Sequence, residues 1–276
     1  MFTDSHCHLD FPELQADLPA ILDAMRAAGV TRALCIGTTL ERFDDVHRLA
    51  LAHAEGCPQL WATVGVHPDH EHDAEPTLEG LLELAARPRV VGIGETGLDY
   101  YRLEGRSIAD MAWQRQRFRV HIRAARQANL PLVIHTRAAA DDTLAILREE
   151  GGLGSAGNAG LPAARGVFHC FTETLEVARA ALDLGFDISF SGILTFKNAA
   201  ALRDVARYVP LQRTLIETDS PYLAPVPHRG KTNTPAYVPY VAAQLAELHG
   251  VAVEEVARIT SDNFTRLFDR VTTESA

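Results

Sequence analysis

The sequence has few cysteines, no long apolar run and little positive charge. Its four cysteines form no Cys-x-x-Cys pair, and its first residues lack the charged-then-apolar profile of a signal peptide. We therefore expect a protein of the reducing cytoplasm. No apolar run approaches the roughly 18 residues that a membrane-spanning helix needs, so we expect no membrane partner.

Positive charge is scarce because acidic residues outnumber basic ones, which gives a formal net charge of -10. A protein that binds nucleic acid through its overall charge alone would need the opposite balance. Any anionic substrate must therefore be bound by local cations or by metal ions.

The chain is built on a repeated alternation of short apolar runs with segments of helical period. Several runs are rich in Val and Ile without strict alternation, as strands covered on both faces are. Eight runs at an average spacing of about 30 residues fit a closed barrel better than an open doubly wound sheet. With 276 residues, 47% of them hydrophobic, the chain is predicted to be an α/β protein with one (β/α)8 TIM barrel domain over residues 1–276. The predicted strands are residues 2–5, 33–37, 61–66, 90–94, 132–134, 167–168, 186–191 and 215–218.

One stretch, residues 151–166, interrupts this alternation with a segment rich in glycine and alanine, GGLGSAGNAG. Such a composition favours a flexible connection over a packed element. We interpret it as a surface insertion in one loop, without a functional role.

Polar residues stand at the ends of the predicted strands, where a barrel of this kind carries its catalytic groups. Each alone could be an ordinary core or loop residue. Alternate residues of a strand face the same side, so the two histidines after the first strand can face one metal ion. Together, four histidines and two carboxylates supply enough ligands for two divalent ions that share a bridging carboxylate. The six are His6, His8, Glu95, His135, His169 and Asp219.

The segment GIGETG, residues 92–97, matches the dinucleotide-binding pattern G-x-G-x-x-G. That pattern requires a helix that opens directly after it. Here residues 98–102 are predicted as loop and the next helical pattern starts near Asp110. We therefore reject a dinucleotide cofactor.

Six segments resemble the TatD family of metal-dependent deoxyribonucleases, within the amidohydrolase-type barrels. They run from the first strand to the last, so the resemblance covers essentially the whole chain. In order they are DSHCHLD at 4–10, VGVHP at 64–68, GETGLDY at 94–100, PLVIH at 131–135, HCF at 169–171 and ETDSPYL at 217–223.

This resemblance implies a two-metal site for DNA hydrolysis, in which Glu95 bridges the two ions. His6, His8 and Asp219 would complete the first ion's ligands, and His135 and His169 the second's. His67 would contact the scissile phosphate. The implied reaction is cleavage of DNA, single-stranded or at ends, exonucleolytic more than endonucleolytic, in DNA repair or turnover. The ions could be Mg²⁺, Mn²⁺ or Zn²⁺.

Further residues near the strand ends are predicted to support substrate binding and chemistry. Asp219 is predicted to orient the attacking water and accept its proton, with Glu95 and His67 as the other catalytic residues. Aromatic residues, Tyr222 among them with Tyr100, Tyr101 and Phe171, could stack bases of a single strand. The candidate phosphate-binding cations are Arg102, Arg137, Lys197, Arg229 and Lys231.

Two other functions stay open at this point. An amidohydrolase-type barrel could cleave a small ester, lactone or amide, although such relatives often bridge their metals with a carboxylated lysine where this chain has Glu95. A non-catalytic scaffold would be expected to lack some of the six ligands, and all six are present. The oligomeric state is not predicted, and a monomer is possible. The remaining histidines, which include His47 and His121, are predicted to lie on the surface.

Overall fold

The computed structural model describes residues 1–52, 57–71, 73–152 and 160–272. They form a parallel eight-stranded sheet whose strands follow one another in chain order, each hydrogen-bonded to the next. The predicted (β/α)8 TIM barrel is confirmed. The strands are β1 (Phe2–Cys7), β2 (Val30–Cys35), β3 (Gln59–Val64), β4 (Val90–Asp99), β5 (Leu132–Arg137), β6 (Gly166–Phe168), β7 (Asp187–Phe190) and β8 (Thr214–Ile216).

Helices of these residues follow the strands and cover the outside of the barrel. Between β7 and β8 a short 3-10 turn, Gly192–Thr195, precedes the helix. None of the described helices has both the length and the apolar composition to cross a membrane. They are α1 (Pro12–Gln15), α2 (Leu18–Ala27), α3 (Phe43–Leu51), α4 (Leu78–Ala85), α5 (Ala112–Ala128), α6 (Ala140–Gly151), α7 (Leu175–Asp183), α8 (Ala200–Tyr208), α9 (Val238–His249) and α10 (Val253–Leu267).

Apolar side chains fill the molecule in two clusters because successive strand residues point to opposite faces. The larger cluster packs strand residues such as Ala33 against the helices. The smaller one joins alternate strand residues, such as Leu34, to Phe264 of α10 and to Phe268 directly after it. Asn263 of the same helix donates to the backbone oxygen of Thr214, the first residue of β8. Helix α10 therefore closes the amino-terminal end of the barrel and leaves the opposite end, here called the mouth, for function.

The sheet closes at the mouth, where the end of β1 meets the residues after β8. The backbone N–H of Asp219 donates to the oxygen of His6 at 3.0 Å, and that of His8 donates to the oxygen of Ser220 at 2.9 Å. Asp4, which is fully buried, accepts from the backbone N–H of Thr218 at 2.9 Å and from its hydroxyl at 2.6 Å. These bonds hold the first and last strand ends in register.

The structure corrects three expectations from the sequence. Strand β4 continues to Asp99, because its later residues pair with β5, so the loop predicted from residue 98 starts later. His121 is fully buried and His47 is 9% exposed, so neither is a surface residue. The insertion predicted at 151–166 begins at the last residue of α6 and ends at the first of β6, and its residues 153–159 lie outside the described part.

Candidate metal centre

The six predicted ligands meet at the mouth of the barrel in two groups of side chains. The first group contains His6, His8, Glu95 and Asp219. Nε2 of His6 lies 3.2 Å from Nε2 of His8, 3.4 Å from Oε2 of Glu95 and 3.6 Å from Oδ1 of Asp219. Nε2 of His8 lies 3.9 and 3.5 Å from the same two oxygens. Ligands about 2.1 Å from a tetrahedral cation stand about 3.4 Å from one another, so His6, His8 and Glu95 are spaced as ligands of one ion, and Asp219 lies at ligand spacing from both histidines.

The second group surrounds the other oxygen of the same carboxylate. Oε1 of Glu95 lies 2.8 Å from Nε2 of His169, 3.2 Å from Nδ1 of His135 and 3.3 Å from Nε2 of His67. The His67 and His135 nitrogens are 3.4 Å apart. His67, predicted as a phosphate contact, thus lies as close to Glu95 as the predicted ligand His135. The two oxygens of Glu95 face two separate sets of imidazoles, which is the arrangement that a bridging carboxylate requires.

Glu95 is held in its ionised form by the charges around it. Burial alone would raise the pKa of Glu95, but the facing His169, His67 and His135 outweigh it and hold that pKa well below its ordinary value. Burial, followed by the neighbouring His169, lowers the pKa of His6, whereas the facing carboxylates outweigh burial and raise the pKa of His8, His67 and His169. Ionised carboxylate and neutral imidazole are the forms that bind metal ions, so binding would release the protons that these three imidazoles carry.

An unpartnered buried atom indicates that a cation belongs in this centre. Nε2 of the buried His169 lies close to Glu95 but forms no hydrogen bond in the described part of the chain. Buried polar atoms without partners are costly. A metal ion beside Glu95 would satisfy this nitrogen, and the nitrogen and carboxylate donors present fit divalent ions such as Zn²⁺, Mn²⁺ or Mg²⁺.

Two carboxylates that the sequence did not identify orient the imidazoles of the second group. Oε1 of Glu217 lies 3.3 Å from Nδ1 of His169 and also accepts the backbone N–H of Cys170 at 2.7 Å. Oδ2 of Asp99 lies 3.1 Å from Nε2 of His135. Each carboxylate faces one ring nitrogen and leaves the other to face Glu95, which is the usual support for a metal-binding histidine. Asp99 was missed because the sequence placed it in a loop, and Glu217 because it precedes the predicted ligand position.

Glu217→Gln is expected to weaken the binding of the ion at His169 by about 10- to 100-fold, the usual cost of losing a carboxylate behind a ligating histidine. The amide can still accept the Cys170 N–H, so the fold should be kept. The check is the affinity for Zn²⁺ or Mn²⁺ measured by competition with a chelating dye, beside thermal unfolding. Wild-type affinity in a folded Glu217→Gln protein would contradict this role.

Residues of α5 that lie behind His67 hold its backbone in place. The backbone N–H of its neighbour Val66 donates to Nε2 of the buried His121 at 3.1 Å, and burial lowers the pKa of that imidazole to about 4. Arg117, also buried, donates to the backbone oxygen of His67 at 3.1 Å. A ring nitrogen of His67 contacts Asp69. His121, which the sequence predicted to lie on the surface, therefore fixes the segment that carries His67.

The predicted substrate contacts lie at or after the strand ends, and all of the cations are exposed. The guanidinium of Arg137 lies 3.7 Å from the ring of Tyr101, and that of Arg229 lies 3.6 Å from the ring of Phe196. Tyr222 is 52% exposed and meets Phe11, whose ring stacks on His8. Tyr100 and Phe171, by contrast, are buried and offer no face to a base. Arg102, Lys197 and Lys231 complete the exposed set.

Comparison with known proteins identifies the family of this chain. Residues 3–269 match the family model described as TatD related DNase. The metal-dependent hydrolase YcfH of Escherichia coli K12 is 49% identical over 268 residues, which cover 96% of this chain and 94% of the relative. The 3'-5' ssDNA/RNA exonuclease TatD of Pantoea ananatis is 33% identical, with 96% and 98% covered. The crystal structure of YjjV, a TatD homolog from Escherichia coli K12, superposes with a TM-score of 0.85 at 30% identity, covering 97% of this chain and 98% of that chain. The chain therefore belongs to the TatD family of metal-dependent hydrolases.

Proposed function

We propose that the protein hydrolyses phosphodiester bonds of single-stranded DNA from an end, with two divalent metal ions at the mouth of the barrel. The observation that carries this proposal is Glu95, whose two oxygens face two separate groups of imidazoles. The similarity to the exonuclease of Pantoea ananatis supports the choice of substrate. Spacing of the donor atoms as in metal coordination supports the number of ions.

The ligands in this proposal are those of the two groups. His6, His8, Glu95 and Asp219 hold the first ion, while Glu95, His135 and His169 hold the second, with His67 beside it. Such a pair of ions neutralises the charge of the phosphate and lowers the pKa of water. His67 stands next to the second group with 14% of its side chain exposed, where it can meet the scissile phosphate.

Asp219 is suited to orient the attacking water and take its proton. Its Oδ1 faces His6 and His8, which leaves Oδ2 for a water molecule. Its side chain is 16% exposed, whereas that of Glu95 is 4% exposed, so Asp219 is the carboxylate of the first group that substrate and water can reach. Burial alone would raise the pKa of Asp219, but the hydrogen bond from His8 and the nearby imidazoles of His6 and His169 lower it. The carboxylate is therefore ionised before water arrives.

A carboxylated-lysine hydrolase acting on a small ester, lactone or amide fits this chain less well. The sequence contains two lysines, Lys197 and Lys231, and neither lies on a strand of the barrel. The bridging position is held by Glu95. This supports the phosphodiester proposal over that alternative.

Chelator-treated protein is expected to have no activity on end-labelled single-stranded DNA, and Mg²⁺ or Mn²⁺ should restore it. Binding should weaken with salt, with a slope of about -0.7 in log–log form for each phosphate contact, because each contact releases counterions. The measurement is the rate and length of product formation on a sequencing gel across a salt series, with circular single-stranded DNA as the control that lacks free ends. Salt-independent cleavage of an uncharged ester, without cleavage of any DNA, would show that the proposal is wrong.

A further inference from the structure

Two loops at the mouth enclose a pocket that the metal centre does not use. Loop 7, residues 191–199, follows β7, and loop 8, residues 220–234, follows Asp219 in the segment after β8. The pocket between them has a volume of about 270 Å³ and is lined by Phe196, Lys197 and Asn198 of loop 7 and by Val226 and Arg229 of loop 8. Loop 8 begins directly after Asp219, so the pocket and the first metal-binding group share one segment of chain.

The two loops are positively charged in a protein that is otherwise acidic. Neither loop contains an aspartate or a glutamate, although Glu217 and Asp219 directly precede loop 8 and the whole chain has a net charge of -10. Only two of its 26 lysine and arginine residues are lysines, and Lys197 and Lys231 lie on these two loops. Among the residues that the structure describes, neither Lys197 nor Arg229 forms an ion pair. Two cations without acidic partners therefore face one cavity.

The backbone of both loops is firmly held, so the pocket is formed before a ligand arrives. Arg203 of α8 donates to the backbone oxygens of Leu194 and Phe196, at 3.2 and 2.8 Å, and thereby fixes loop 7. The N–H of Val226 donates to the hydroxyl of Thr195 at 2.9 Å and joins the two loops. Asn233, fully buried, donates to the backbone oxygens of Thr218 at 2.8 Å and Tyr222 at 2.6 Å, which ties the ends of loop 8 together.

The pocket combines charge with a flat apolar surface, as a nucleotide requires. The guanidinium of Arg229 is stacked on the ring of Phe196 and donates to the oxygen of Ala224 at 3.0 Å, so its direction is fixed. Lys197 supplies a mobile ammonium on the opposite loop, and Val226 supplies an apolar wall. In barrels of this type the loops after the seventh and eighth strands often form a phosphate site. Arginine and lysine are the side chains that bind phosphate oxygens.

We propose that this pocket binds a second nucleotide of the DNA strand, beyond the scissile phosphate, with its phosphate contacted by Lys197 and Arg229. The proposal rests on the proposed function and specifies how the strand leaves the metal centre. The adjoining cavity shares Val226 but is lined by Glu247 of α9, which would repel a further phosphate. The DNA strand is therefore bound by one phosphate beyond the scissile one on the side of the mouth formed by loops 7 and 8.

The test compares metal-loaded protein on oligodeoxynucleotides of two and six nucleotides. A dinucleotide has one phosphodiester, which the metal centre engages, whereas a hexanucleotide also reaches the pocket. Wild-type protein should have the lower KM for the hexanucleotide. Lys197→Ala and Arg229→Ala should each raise the KM for the hexanucleotide on the order of tenfold, toward that for the dinucleotide, and reduce the salt slope by about 0.7.

Arg148→Ala is the matched control, because it removes one exposed positive charge from α6, away from the two loops. The Arg148→Ala protein should keep the wild-type dependence of KM on oligonucleotide length. Lys197→Arg should retain most of the length dependence that Lys197→Ala loses. The side chain of Lys197 is exposed, so Lys197→Ala should not disturb the fold. It therefore tests the pocket even if Arg229→Ala disturbs loop 8. Wild-type length dependence and salt slope in both alanine variants would overturn the pocket proposal while leaving the nuclease proposal intact. A wild-type protein that cleaves neither oligonucleotide would overturn both.

Discussion

Glu95→Ala is expected to lose both metal ions and all measurable hydrolysis. Both groups of imidazoles depend on this carboxylate, since His6 faces one of its oxygens and His169 and His135 face the other. Losing a carboxylate behind a ligating histidine costs up to about 100-fold in affinity, and losing a shared ligand should cost each ion at least that much. The measurement is metal content per chain after dialysis against a defined free-metal buffer.

His135→Ala is the informative partner of this variant. It removes a donor from the second group only, so the first ion should stay bound while the second is lost. Circular dichroism should show that both variants keep the barrel, because Glu95 contributes to the mouth and the apolar clusters lie elsewhere. Two ions retained at unchanged affinity in Glu95→Ala would refute the bridging role.

Asp219→Asn is expected to lower kcat by a factor on the order of 10² to 10⁴, the usual contribution of a positioned general base. The amide has nearly the shape of the carboxylate but cannot accept a proton in the same way. The backbone N–H of Asp219 donates to the oxygen of His6, and its φ of +55 is a left-handed conformation that both Asp and Asn adopt. The side-chain change should therefore leave the backbone in place.

The measurement for Asp219→Asn is kcat at saturating metal, together with metal content and thermal stability. The second ion should remain, and the first should bind more weakly, because Asp219 faces His6 and His8. Asp219→Glu serves as a control, since it keeps the carboxylate but moves it by one methylene group. Turnover near the wild-type value in metal-replete Asp219→Asn would assign proton acceptance to another group.

The sequence predicts the barrel and the residues that meet at its mouth, because both depend on short-range patterns. Strand ends are visible as apolar runs followed by polar residues, and parallel strands bring their ends to one side. The amino-acid order alone therefore places His6, Glu95, His135, His169 and Asp219 together. Their assignment to individual ions came from the family resemblance and stays a prediction.

What the sequence could not predict depends on contacts between distant segments. The continuation of β4 to Asp99 is set by pairing with β5. Residues with a low intrinsic strand preference can form a strand when they hydrogen-bond to a neighbouring strand. The burial of His121 depends on the way α5 packs, and its bond to the Val66 N–H joins segments 55 residues apart. Likewise, Glu217 after β8 contacts His169 after β6, a residue 48 positions away in the chain. Local pattern does not encode such pairs.

The closure of the sheet has a consequence for how the protein unfolds. Three ligands of the first group come from the ends of the first and the last strand of the barrel, with His6 and His8 on one side of the junction and Asp219 on the other. An ion bound there would link the end of β1 to the segment after β8. Its binding free energy would add to the free energy of unfolding of the barrel. The metal ion would then cross-link His8 to Asp219 and close the chain between them into a loop. Metal coordination, in addition to packing, would offset the entropic cost of closing that long loop.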